Sequence, residues 1–260
     1  MSQPTNTPCT LPPIEIEVCI DHIESLRYAI LGGATRIELC SSLALGGLTP
    51  SFGLMRQAVR LSSVPIYMMI RPRQGDFLYT EEDIALMMMD IEAAASAGAQ
   101  GIVTGVLSTD GSINLRAMKA LVGQAHRLEL NVTFHRAIDQ CCDAKVALEQ
   151  LVELGCERVL TSGQASNALS GKEVLKDLVS QANGRIQVLA GAGVNRDNVA
   201  ELVNYTGVDA VHLSGKTLRA SQMRFVASQA KMGAQDVDDF SLLVTNSSAI
   251  NAVKAALASR

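Results

Sequence analysis

Residues 14–20 read Ile14-Glu-Ile-Glu-Val-Cys-Ile20, a run in which apolar and polar side chains alternate without a break. A period of two is the signature of a strand with two unlike faces. Ile14, Ile16, Val18 and Ile20 share one face; Glu15, Glu17 and Cys19 share the other. The pattern recurs along the chain. Ile37 and Leu39 oppose Glu38 and Cys40, and Val211 and Leu213 oppose His212 and Ser214. Two further apolar runs, 64–70 and 131–134, end on Arg71 and His135. If these five strands are neighbours in one parallel barrel, their polar ends converge on a single site.

Working outward, strand and helix alternate eight times, with strands expected at 14–20, 36–40, 64–70, 101–107, 131–135, 158–163, 186–191 and 210–215. The intervening helices carry start and stop signals. Thr49-Pro50 reads as an N-cap with proline at the first helical position, and Thr80 with Asp83 as a capping box. Gly32, Gly98 and Gly155 sit where helices should stop. Eight βα units in about 250 residues predict an α/β fold, a single-domain TIM (β/α)8 barrel over 14–260 after a poorly ordered tail at 1–13. A doubly wound open sheet is disfavoured, because no Gly-rich dinucleotide fingerprint follows the first strand. The apolar strand faces should pack on the helix ring and the polar faces point inward. Barrel interiors are ordinarily filled by branched apolar side chains, so polarity at the strand C-termini marks a site at that mouth.

Composition narrows the partners. The net charge of −4 over 260 residues gives no electrostatic reason to expect nucleic acid or an anionic membrane. No apolar run reaches the roughly 18 residues of a membrane span, and residues 1–13 lack the basic and apolar regions of a signal peptide. Six scattered cysteines do not form a disulfide framework and read as reduced thiols of a cytoplasmic protein. Gly191 and Gly193 follow the seventh strand, with Ser214-Gly215-Lys216 after the eighth. Backbone N–H groups there can hold an anion, with Lys216 adding charge; the glycines read equally as a tight turn before a helix opened by Asn195.

At this point the chain resembles a known family, the copper homeostasis protein CutC family. The resemblance rests on Glu17-Val-Cys19, Gly33-Ala-Thr-Arg-Ile-Glu-Leu-Cys40, Gly46-Gly-Leu-Thr-Pro-Ser51, Ile70-Arg-Pro-Arg73, Gly75-Asp-Phe77 and Val132-Thr-Phe-His-Arg136 with Asp139. It continues through Arg158-Val-Leu-Thr-Ser-Gly163, Ala190-Gly-Ala-Gly193, His212 and Met223-Arg-Phe225. Val226 and Ala227 depart from the family pattern, as does Lys216. The resemblance implies a TIM barrel and Cu(I) handling in the cytosol, with Cys19 and Cys40 as ligands.

Chemistry gives that implication a physical form. Cu(I) favours soft thiolates in sites of low coordination number. Cys19 and Cys40 end adjacent strands about 4.8 Å apart, and His212 on the strand at the other side of the first supplies a third donor. Both cysteines read equally as small apolar core residues. The same pocket supports a second reading, a barrel enzyme (isomerase, lyase or hydrolase type) acting on a small anionic or phosphorylated metabolite. Glu17 or Glu38 would act as general acid or base, His135 or His212 would shuttle a proton, Arg71, Arg73 and Arg136 would hold the anion, and Asp139 joins the site. Glu17 and Glu38 also read as partners of Arg71 in an interior ion-pair network. His22 and His126 look like ordinary helix residues. The segment 216–245 is longer than a barrel needs before its last helix at 247–259, and its apolar residues predict a lid, a subunit arm (hence a homo-oligomer) or, equally, a segment that wraps its own barrel.

Overall fold

The computed structural model describes residues 13–227, 230, 232 and 238–260. Of the expected tail only Pro13 falls among them. Eight strands, β1 (Glu15–Ile20), β2 (Arg36–Leu39), β3 (Ile66–Met69), β4 (Gly101–Thr104), β5 (Asn131–Phe134), β6 (Arg158–Thr161), β7 (Gln187–Ala190) and β8 (Ala210–Leu213), pair in parallel with their neighbours. β8 returns to β1, so the sheet is a closed barrel without a free edge. Helices α1 (Ile23–Gly32), α2 (Phe52–Leu61), α3 (Glu81–Ala97), α4 (Leu115–Arg127), α5 (Ala144–Leu154), α6 (Lys172–Ala182) and α7 (Val199–Thr206) follow β1 to β7. A further helix, α8 (Ser247–Ala258), completes the outer ring beside α1 and α7. This is the (β/α)8 barrel that the alternation predicted.

The outward strand faces do what their composition requires. Ile16, Val18, Ile20, Ile37 and Leu39 join one continuous core with Leu26 and Ala29 of α1 and Met55 and Ala58 of α2. Helix ends follow from local chemistry. Thr80 and Asp83 form the expected capping box. Ser51, rather than Thr49, caps α2. Thr49 is otherwise engaged: its hydroxyl accepts the Arg71 amide at 3.0 Å and its own amide donates to the Arg71 carbonyl. His22 caps α1, its Nδ1 accepting the Ser25 amide.

The segment after β8 holds two more strands, β9 (Lys216–Ala220) and β10 (Ser241–Thr245), paired antiparallel. They lie on α1: Arg219 pairs with Glu24, His22 bonds the Leu243 carbonyl, and the Thr245 amide donates to Ser25. The remaining described residues of 216–245 include exposed Met223, Phe225 and Val226.

Polarity is not confined to the strand C-termini. Arg36 is only 2% exposed at the opposite end, between Glu15 and Glu17, with its guanidinium 4.9 Å from the Tyr67 ring. Arg158 lies 5.1 Å from that ring and donates to the Tyr67 hydroxyl at 2.7 Å. An ionic layer therefore floors the barrel beneath the site.

Candidate functional site

Strand register decides which inward side chains meet. Cys19 is level with Glu38 on β2, and Glu17 is level with Arg36 on one side and His212 on the other. Glu17 is fully buried and divides its two oxygens: Oε2 takes the Arg36 Nε at 2.6 Å, and Oε1 lies 2.7 Å from His212 Nδ1. The other imidazole nitrogen then faces the barrel mouth, 3.8 Å from Glu38 Oε2. A thiol, a carboxylate and an imidazole, from Cys19, Glu38 and His212, have ligand atoms all within 4.8 Å of one another.

The electrostatics follow from this arrangement. Burial alone would raise the Glu17 carboxyl, but Arg36 and then His212 overturn it and hold it down at about 2. Burial works against charge on His212; Cys19, Glu38 and the Glu17 hydrogen bond hold the imidazolium well above the ordinary histidine range. Glu38 goes the other way, raised by burial and by the Glu17 charge against the pull of His212. Cys40 is fully buried between Glu38, whose Oε2 accepts its thiol at 3.5 Å, and Gly47. Burial first, then Glu38 and Cys19, push that thiol well above 9.

Above this cluster opens a cavity of about 440 Å³. Its walls include Cys19, Glu38, Arg71, Phe77, His135, Arg136, Asp139, His212, Ser214 and Lys216. Most of the residues singled out in the sequence thus converge on one mouth. Cys40 sits two residues beyond the level of Cys19, packed with Tyr67, Met69 and Val103 and outside the cavity lining.

Other residues have separate employment. Asp139 accepts from the Thr161 hydroxyl, the Ser162 and Gln164 amides and Arg136 Nε, so it ties the loop after β6 to the loop after β5. Arg73 turns to Asp76, Asp83 and the Leu78 carbonyl, away from the cavity lining. The Gly191 amide bonds the Thr161 carbonyl, and neither Gly191 nor Gly193 lines the cavity. The network in which Glu17 and Glu38 offset Arg71 does not form: Glu17 pairs with Arg36 and His212, while Arg71 donates to the carbonyls of Leu45, Gly47 and Gly75. Arg36 and Tyr67 were missed, although strict alternation from Glu38 places Arg36 on the inward face.

The matching family model, that of the CutC family, covers residues 14–217. The chain belongs to the CutC family. This CutC family member is 61% identical over 242 residues to a family protein CutC of Vibrio parahaemolyticus, covering 93% of this chain and 98% of that one. It is 63% identical over 236 residues to the corresponding protein of Vibrio campbellii, covering 91% and 96%. Among solved structures it resembles one described as a copper homeostasis protein CutC, from Streptococcus agalactiae, at TM-score 0.74 and 31% identity, over 78% of this chain and 99% of that one. Thiamine phosphate pyrophosphorylase from Pyrococcus furiosus, at TM-score 0.57 and 17% identity over 95% and 96% of the chains, shares the fold alone.

Proposed function

We propose that this protein serves copper homeostasis by binding Cu(I) at the barrel mouth, with Cys19 as anchoring thiolate, His212 as nitrogen donor and Cys40 as the second thiolate. The observation that carries the reading is the Cys19–Glu38–His212 cluster, with His212 oriented from behind by Glu17. A carboxylate behind an imidazole fixes the ring and aims its other nitrogen, as it does for metal-bound histidines, and the ion must displace the proton that the imidazolium carries there. The donor chemistry fits: a thiolate and an imidazole suit Cu(I), whereas the hard oxygen of Glu38 does not. Glu38 has a different task. Thiols must lose a proton to bind metal, and Cys40 already donates to Glu38 Oε2 at 3.5 Å.

Sharing of copper between two sulfurs needs Cys40 to turn from Gly47 towards Cys19. Anaerobic Cu(I) titration against a competing chelator tests the reading. One equivalent should bind the wild type, weaken by about 100-fold or more in Cys19→Ser, and weaken by about 10–100-fold in Glu17→Gln, which leaves the ligands in place. Binding indifferent to Cys19 refutes it. The same reading has the protein in the cytosol, where thiols stay reduced, as a homo-oligomer joined through exposed Leu218, Phe225 and Leu243. The enzymatic alternative has its own support in the cavity's opposite wall.

A further inference from the structure

The β3 and β5 side of the cavity carries more positive charge than its own carboxylates balance. Arg71 is 6% exposed, and its two terminal nitrogens donate to three backbone carbonyls. Among the described residues no carboxylate lies within ion-pair distance of it. Burying a charge without a counter-ion costs several kcal/mol, which carbonyl dipoles offset only in part. Lys216, on the far rim of the same cavity, likewise has no acidic partner among the described residues. Arg136, the other cation there, is already paired with Asp139.

His135 adds a donor of known polarity. It is 4% exposed, and its Nδ1 accepts the Ala137 amide at 3.2 Å, so the ring hydrogen of the neutral form sits on Nε2. That Nε2 has no hydrogen-bond partner. Gly105 packs on the Nδ1 and Cε1 edge so closely that a Cβ there would fall 2.6 Å from either atom, which fixes the ring's setting. Phe77 holds the group together, its ring 4.7 Å from the imidazole and 5.3 Å from the Arg71 guanidinium. Burial, and then the Arg71 charge, keep the imidazole neutral at physiological pH.

We infer that Arg71 and His135 form a subsite for the oxyanion end of a small metabolite, a carboxylate or a phosphate, whose charge Lys216 also attracts from the far rim. The ligand's charge replaces the missing counter-ion of Arg71 and its oxygen accepts the His135 Nε2–H. About 440 Å³ accommodates a small metabolite reaching from this wall towards Glu38 and His212. The subsite stands without copper and differs from the glycine turn after β7, whose Gly191 amide is bonded within the sheet.

Calorimetric titration of the full chain with succinate, inorganic phosphate and glycerol 3-phosphate, each against sodium chloride at equal ionic strength, tests the inference. At least one probe should bind at a single saturable site. Succinate alone assigns a carboxylate; either phosphate probe assigns a phosphate. Lys216→Met, at the partly exposed rim, should keep the fold and weaken that probe by about threefold, the loss of one attraction across the cavity. In wild-type protein the His135 Nε2–H resonance should move downfield as the same probe saturates, a readout that needs no substitution of a buried residue. No saturable binding of all three probes, binding unaltered by Lys216→Met, or an unmoved His135 resonance would each overturn the subsite.

Discussion

Glu17 and His135 are both buried, yet burial leaves one charged and the other neutral. Glu17 meets a cation on each oxygen and keeps its charge down to about pH 2; His135 meets the Arg71 charge and is held down to about 3. Both shifts act on stability with one sign. Between 6.5 and about 3 the unfolded chain binds a proton at His135 that the folded chain refuses. Between 4.5 and about 2 the same holds for Glu17. Stability therefore falls as pH drops, first through the histidine, at a limiting slope of about 1.4 kcal/mol per pH unit for each group. Glu38, raised in the fold, acts in the opposite sense. The diagnostic is thus a difference: His135→Asn, which retains an acceptor for the Ala137 amide, should flatten the loss between pH 6.5 and 5 relative to wild type in urea unfolding. Parallel curves would contradict a neutral buried His135.

Among the elements, α1 packs closely on α8 at Gly32. A Cβ on Gly32 would stand 2.6 Å from the Ile250 Cβ and 2.7 Å from the Ser247 carbonyl oxygen, neither of which can rotate away. Helix propensity favours alanine by about 1 kcal/mol, but overpacking costs about 1–3 kcal/mol, so the clash wins. Gly53 in α2 has nothing within 4 Å of its would-be Cβ. Thermal unfolding should therefore show Gly53→Ala raising Tm and Gly32→Ala lowering it; a neutral or stabilising Gly32→Ala would mean that α8 yields freely. The elements were legible to different degrees. All eight barrel strands announced themselves, β1, β2 and β8 by alternation and the others as short apolar runs between helix signals. The β9–β10 pair did not, because residues 221–240 separate its strands and no short turn marks a hairpin. The α1 cap was hidden because histidine is not a usual N-cap residue.

For the whole molecule, closure leaves the barrel no sheet edge, so apolar exposure gathers elsewhere. Leu218 and Leu243 stand opposite each other across β9 and β10 at 65% and 48% exposure, and Phe225, five residues past β9, is 76% exposed. Sedimentation velocity of the full chain should report a dimer or larger species at micromolar concentration, and Leu218→Ser with Phe225→Ser should shift it to monomer; a monomeric wild type would remove the subunit-arm reading. The location of the site was legible in sequence, since strand ends in a parallel barrel share one mouth. Its partnerships were not, because they depend on the stagger between strands: a difference of two positions in register sets Glu38, rather than Cys40, beside Cys19. The same stagger gives Glu17 one neighbour in the floor and one at the mouth. A planar carboxylate cannot turn towards one without turning from the other. Over evolutionary time Arg36 and His212 should therefore be inherited as a pair, each lineage keeping both or exchanging both, although they serve opposite ends of the barrel.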